Sequence, residues 1–206
     1  MEKRRWRSII VNILEMACSI LPSVFWGLIL FGFEEASMAV TTLLCALIHE
    51  LGHIVCILAL NKKTFGFRSV VSGFRISTPG IRSYNEEILT YLSGPLANIF
   101  AFVISVISSL FGGSFFLTIA IINLATALSN LLPIKGYDGY GAIIAFMKKM
   151  EMKESVFKGL SYLSASLIFG FCIFSIYLID RYGGGYWIFA VFFISMLKEI
   201  KERLDE

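Results

Sequence analysis

The chain has 206 residues, 57% of them hydrophobic, and a mean hydropathy of +0.77. Soluble globular chains run about 45–50% apolar, so a soluble domain with a single anchor is excluded and a chain that crosses a lipid bilayer several times is implied. A formal charge of +3 gives no reason to expect a nucleic-acid partner, and the four cysteines, Cys18, Cys45, Cys56 and Cys172, lie in apolar stretches with no C-x-x-C pair, which reads as small buried residues rather than a disulfide framework.

The basic start MEKRRWR leads into an apolar run from Ser8 to Phe33. That run is too long for the h-region of a signal peptide and lacks a small-residue cleavage site, so it reads as a true span. The second run, Ser37 to Leu60, is also long enough to cross about 30 Å of hydrocarbon, yet it carries HELGH from His49 to His53. A polar gap follows, Asn61 to Glu87, containing TFGFRSVVSGFRISTPGI. Ser72-Gly73 is a turn dipeptide, flanked by segments of high β-propensity at Phe65 to Val71 and Phe74 to Thr78. A short hairpin at the cytoplasmic interface is predicted; alone in water it would be marginal, so it needs the helices or the interface to support it.

The third run, Ile88 to Phe111, carries SGPLAN at Ser93 to Asn98. A Gly-Pro pair there loosens the helix or marks its first turn, and lets a neighbour approach closely. The fourth run, Phe115 to Pro133, ends in NLLPIKGYDGYG. Pro133, Gly136 and Gly139 argue against continuous helix, and Lys135 and Asp138 are costly in lipid, so this irregular piece should face protein or a water-filled cavity. After a second polar gap, Ile134 to Val156, come Phe157 to Ile179 and a weaker stretch, Tyr182 to Leu197. The expected fold class is an all-α polytopic membrane protein of about six transmembrane helices with a short cytoplasmic-side β-hairpin, forming one domain over residues 1–206. With the N-terminus in the cytoplasm, 17 of the 18 Lys and Arg residues fall on the cytoplasmic side and only Arg181 outside. The positive-inside bias therefore puts both termini in the cytoplasm.

His49 and His53 are spaced i, i+4, which sets both imidazoles on one helix face about 6 Å apart in rise. One metal ion can bridge them, and Glu50, one residue along, can take a proton from a bound water rather than ligate. This is the H-E-x-x-H arrangement of zinc hydrolases. These are the chain's only histidines, and they sit where ionisable groups are most costly. A catalytic zinc wants three protein ligands and one open position. Cys45 is eight residues from His53, about 12 Å in rise, too far to share the ion. Glu15 of the first run remains an alternative. Asp138 fits better: of the three aspartates, Asp180 lies at the opposite membrane face and Asp205 in the tail. A local role for Asp138, N-cap of a helix from Gly139 onward, is compatible with ligation through its other oxygen.

Three motifs in order make the chain resemble the site-2 protease family of intramembrane zinc metalloproteases, above all its small bacterial members related to the sporulation sigma-factor-processing protease. HELGH resembles the family's metal-binding helix. SGPLAN resembles the Gly-Pro-x-x-Asn element of its next span, and NLLPIKGYDG, Asn130 to Gly139, the Asn-x-x-Pro-x(4)-Asp-Gly element that carries the third ligand. Together they cover a catalytic core of about residues 37–140. The family more often has PLDGG where this chain has GYDGY, so Tyr137 and Tyr140 depart from the pattern. The resemblance implies a multi-pass protein of a bacterial cell membrane that binds one Zn²⁺ through His49, His53 and Asp138. It also implies Glu50 as the catalytic base, Asn98 as a catalytic residue holding the substrate backbone or the developing oxyanion, and a membrane-embedded protein as substrate. A regulatory membrane partner or a homo-oligomer is compatible with it.

Three rival readings remain at this level. A zinc transporter needs polar ligands spread over several spans, and two histidines with few buried acids do not line such a path. A non-catalytic membrane scaffold would have no use for Glu50. A protease for soluble substrates would not need the motif so deep: His49 lies about 16 Å and His53 about 10 Å from the Leu60 end of the run.

Overall fold

The structure, a computed structural model, describes residues 36–60, 66–70, 73–77, 83–182, 189, 192–197 and 199–200. The first apolar run, Ser8 to Phe33, and the alternative ligand Glu15 lie outside the described residues, and Tyr182 to Leu197 is described only in part. The elements in chain order are α1 (Ala36–Ala59), β1 (Gly66–Val70), β2 (Gly73–Ser77), α2 (Tyr84–Gly112), α3 (Ser114–Asn130), α4 (Asp138–Lys149) and α5 (Glu154–Tyr182). Over the described residues the protein is thus an almost wholly helical membrane protein. Among these residues three helices are long and apolar enough to cross a bilayer, Ser37–Ala59, Tyr84–Phe111 and Glu154–Arg181, and α3 is a shorter apolar helix.

The side chains sort as lipid demands. Leu44, Val55, Phe100, Ile107 and Phe111 point outward, whereas His49, His53, Asn98, Asn123, Ser164 and Ser175 are buried. A soluble protein does not expose so much contiguous apolar surface. In a bilayer that surface costs nothing, and the polar groups must turn inward to find partners.

α2 starts four residues before the expected run because Ser83 caps it. The Ser83 hydroxyl accepts from the Glu86 N–H at 3.3 Å, and Glu86 and Glu87 lie in the first turn, where the helix dipole favours negative charge. The helix passes through Pro95 without ending, so Pro95 removes one rung of the backbone ladder without breaking it. α2 and α3 are joined by Gly113 alone, at φ +78, a conformation that favours glycine. α3 ends at Asn130 rather than at Pro133; the Leu131 N–H makes the last helical bond, to Ala127 O at 3.1 Å. Pro133 has no N–H to donate and disfavours helix at the residue before it.

α1, α2 and α3 pack together, and α4 rests on α2. α1 and α2 approach closely at Gly52. A Cβ added there would lie 2.5 Å from Ser93 O, 2.7 Å from Ala97 Cβ and 3.1 Å from Gly94 Cα. Small residues let two transmembrane backbones meet in this way. β1 and β2 form a two-stranded antiparallel ribbon, with Phe67 opposite Ile76 and Val70 opposite Gly73.

Two glycine substitutions separate packing from helix propensity. Replacing a mid-helix glycine by alanine gains about 0.8–1 kcal/mol of intrinsic propensity, while forcing a methyl into a filled contact costs about 1–3 kcal/mol. Gly52→Ala should therefore lower the thermal unfolding midpoint in detergent. Gly159→Ala, whose Cβ would meet nothing within 4 Å, should hold or raise it. Equal shifts from the two would deny that Gly52 is a contact point.

Candidate active site

HELGH lies in the C-terminal half of α1, with α2 packed across it. His49 and His53 are each 5% exposed, and their Nε2 atoms are 3.2 Å apart. Asp138 arrives from the start of α4. Its Oδ2 lies 2.8 Å from His49 Nε2 and 3.2 Å from His53 Nε2. The three ligating atoms fall within 4.8 Å of one another.

Asp138 reaches this point through the turn after α3. The Tyr137 N–H donates to Ile134 O at 2.9 Å, and Gly136 takes φ +99. Asp138 is the first residue of α4, and the N-cap is Tyr137, which makes no side-chain cap. The N-cap role considered for Asp138 is therefore not adopted: its carboxylate turns to the imidazoles. Burial works to raise its pKa, but the two imidazoles facing it outweigh that and hold the carboxyl below its ordinary value. It is present as carboxylate, the form a metal binds. Burial pushes the neighbouring Tyr137 phenol up, so it stays neutral.

The His53 ring is oriented from behind, whereas the buried His49 Nδ1 has no partner among the described residues. His53 Nδ1 lies 2.8 Å from the Thr90 carbonyl, and the Ser93 hydroxyl, 3.3 Å from the same nitrogen, donates to that carbonyl at 2.7 Å. A proton on Nδ1 leaves Nε2 with a lone pair facing Asp138, the outer-sphere pattern of a metal-binding histidine. Three electron-rich atoms at 2.8–3.2 Å then repel unless something positive lies between them. Protons can do this with two of them shared among the three atoms. A single divalent cation satisfies all three, and zinc bonds of about 2.0–2.1 Å imply ligand separations of about 3.3 Å in a tetrahedral site. The residues present fit a zinc ion.

Glu50 follows His49 directly. Its Oε2 is buried and has no hydrogen-bond partner among the described residues, a costly condition for a carboxylate unless water or substrate completes it. Asn98 stands apart from the three ligating groups. It is fully buried, and its amide donates to the Cys45 carbonyl of α1 at 3.3 Å, one helical turn before His49, while its Oδ1 has no partner.

Other contributors gave no motif of their own. Gly94 backs the imidazoles so closely that a Cβ there would collide with His53 Nε2 and lie 2.8 Å from His49 Cε1. Gly139 is pressed against the Leu131 carbonyl, and Gly141 against the Tyr91 ring; these contacts dock α4 and the Asp138 turn. Gly94 and Ser93 fall within SGPLAN, which as sequence marks a close helix approach and not a support for the histidines. The Thr90 carbonyl carries no side-chain signal at all.

No protein-family model matches the sequence, and no curated protein matches it. Among solved structures, the site-2 protease from Methanocaldococcus jannaschii is similar with a TM-score of 0.64, at 19% identity, over 89% of this chain and 87% of that one. The chain has the fold of that protease, as the motif resemblance implies.

Gly94→Ala tests the backing of the two imidazoles without removing a ligand. The added methyl must displace one or both rings, so zinc uptake should fall by at least tenfold, within the range of about 10–100-fold for outer-sphere changes. Unchanged zinc affinity would show that the rings do not rest on Gly94.

Proposed function

We propose that the chain is an intramembrane zinc metalloendopeptidase that cleaves a transmembrane or membrane-associated protein near the cytoplasmic side of the bilayer. The observation that carries this reading is the meeting of His49, His53 and Asp138 close to Glu50, whose buried Oε2 has no partner among the described residues, with the two histidines on a helix apolar enough to cross a membrane. The fold likeness to a site-2 protease supports it.

His49, His53 and Asp138 would hold one Zn²⁺ in this reading. When bound, zinc supplies Lewis acidity toward the scissile carbonyl and a water of lowered pKa. Glu50 would serve as the general base, holding at its carboxylate a proton taken from the attacking water and giving it to the leaving amine. The Thr90 carbonyl keeps His53 in the tautomer that presents Nε2. Asn98 contributes as a catalytic residue if its amide swings from Cys45 O toward the substrate backbone or the developing oxyanion. In its present bond it fastens α2 to the turn before His49. Polar groups lie this deep because the substrate does.

A transmembrane helix hides its peptide bonds, so the substrate must unwind locally before attack, and an unwound strand in lipid needs new backbone partners. The β1–β2 ribbon supplies an edge for strand addition in this scheme. Substrates with Gly, Pro, Asn or Ser in their cytoplasmic third are then favoured. The chain spans the membrane six times with both termini cytoplasmic, a topology supported by the distribution of Lys and Arg. Among the described residues His49, His53 and Asp138 form the one set of groups able to hold a metal, which favours a hydrolytic centre over the string of sites that a zinc transporter needs.

Purified protein should contain about one zinc per chain, in keeping with a three-ligand catalytic site, and Asp138→Ala should lose most of it. Glu50→Gln should keep the zinc and cut a transmembrane peptide at least about a hundredfold more slowly than wild type. Wild-type rates from Glu50→Gln would refute the hydrolytic mechanism. Full zinc in Asp138→Ala would move the third ligand elsewhere, to Glu15 in the first instance.

Reporter fusions test the topology. A reporter after Asn61 should read as cytoplasmic, and one inserted in the Gly112 to Ser114 turn as external. A cytoplasmic signal from that turn would overturn the six-span arrangement.

A further inference from the structure

The turn that delivers Asp138 is gripped from a part of the chain that lies outside all three motifs. Lys135, three residues before Asp138, donates its backbone N–H to the Ser164 hydroxyl at 2.8 Å. Ser164 is midway along α5 and fully buried. The Lys135 side chain extends toward Glu199, with Nζ 3.7 Å from Oε2. Glu199 is only 7% exposed. It belongs to a helical stretch beyond α5 that stays against it, since Phe192 stacks on Phe171 of α5 at 4.8 Å between ring centres. Both ends of Lys135, backbone and ammonium, are thus held by α5 and the segment that follows.

A buried serine hydroxyl and a buried carboxylate are expensive choices where alanine or leucine would pack. Neither belongs to the α1–α2–α3 packing. Both act on the one segment that carries a ligand to the two histidines. We propose that Ser164 and Glu199 are positioning residues for the candidate metal centre: by clasping Lys135 they fix where Asp138 stands relative to His49 and His53. α4 docks on α2 through Gly141 and Tyr91, which constrains the turn from its C-terminal side. The Lys135 clasp constrains it from the N-terminal side. Displacing a catalytic group by about 1 Å can cost a hundredfold in rate, so a ligand on a turn needs both. The proposal rests on the reading of His49, His53 and Asp138 as zinc ligands.

The test measures zinc affinity of the full chain in detergent by competition with a chromogenic chelator, alongside kcat and KM on a transmembrane peptide. Ser164→Ala and Glu199→Gln should each weaken zinc binding by about tenfold, the lower end of outer-sphere effects, and lower kcat with KM unchanged. Ser164→Thr keeps the hydroxyl and should recover most of the affinity. Ser166→Ala, an exposed serine on the same helix whose hydroxyl donates to Tyr162 O, should behave as wild type. Lys135→Glu and Glu199→Lys should each weaken zinc binding, and their combination should restore it in part. A lowered melting temperature with wild-type zinc affinity and kcat in Ser164→Ala and Glu199→Gln would make both residues structural and overturn the proposal. If Ser164→Ala does not purify folded, the Glu199→Gln affinity decides it. Wild-type protein that takes up no zinc would instead remove the metal reading itself, and the proposal with it.

Discussion

Two imidazoles on an apolar helix have to be satisfied from within the protein, and that constraint organises the structure around them. Lipid offers no hydrogen bonds, so His53 turns one nitrogen to the Thr90 carbonyl and the other toward His49 and Asp138. The carboxylate must then come from elsewhere in the chain, since the next turns of α1 hold no second acid. Asp138 supplies it from a separate helix start 89 residues beyond His49. Catalytic potential and helix association therefore share a cause: the groups that could hold a metal are also the ones that tie α1 to α2 and α4.

Such convergence needs close backbones, and glycine provides them at three places with different partners. Gly52 lets α1 meet α2 at Ser93 and Ala97, Gly94 leaves room for both imidazoles, and Gly139 lets the Asp138 turn fold against the end of α3. Between lipid-exposed helices there is little hydrophobic drive to associate, so contact distance matters more than buried area. A methyl at any of these points would open the bundle where the ligands meet. Asn98 adds a directional bond from α2 to the Cys45 carbonyl, which fixes the sliding of one helix along the other just before the His49 turn.

Outside this centre many aliphatic and aromatic residues face outward, while Thr41, Asn98, Asn123, Ser164 and Ser175 lie inward beside a small apolar core. The buried hydroxyls mostly bond to carbonyls one turn back in their own helix, as Thr41 does to Ser37 and Ser175 to Cys172. Ser164 instead reaches across to the turn before Asp138.

Much of this was legible in the residue string, because the signals are local. Span length follows from hydrophobic runs, the two histidines share a face because four residues make about one turn, and Pro133 with Gly136 marks broken helix before Asp138. The boundaries were less legible. α2 starts at Ser83's cap rather than where apolar residues begin, and α3 stops at Asn130 under the influence of Pro133. Asp138, which as sequence could have been an N-cap, starts α4 with its carboxylate committed to the histidines instead. Only the tertiary structure decided what backs the ligands: the Thr90 carbonyl, the space at Gly94, and the grip of Ser164 and Glu199 on Lys135. The physical reason is that a carbonyl or an N–H is the same group at every residue. Its partner is set by how helices distant in sequence come to lie against each other, whereas an imidazole in an apolar run announces itself by its cost.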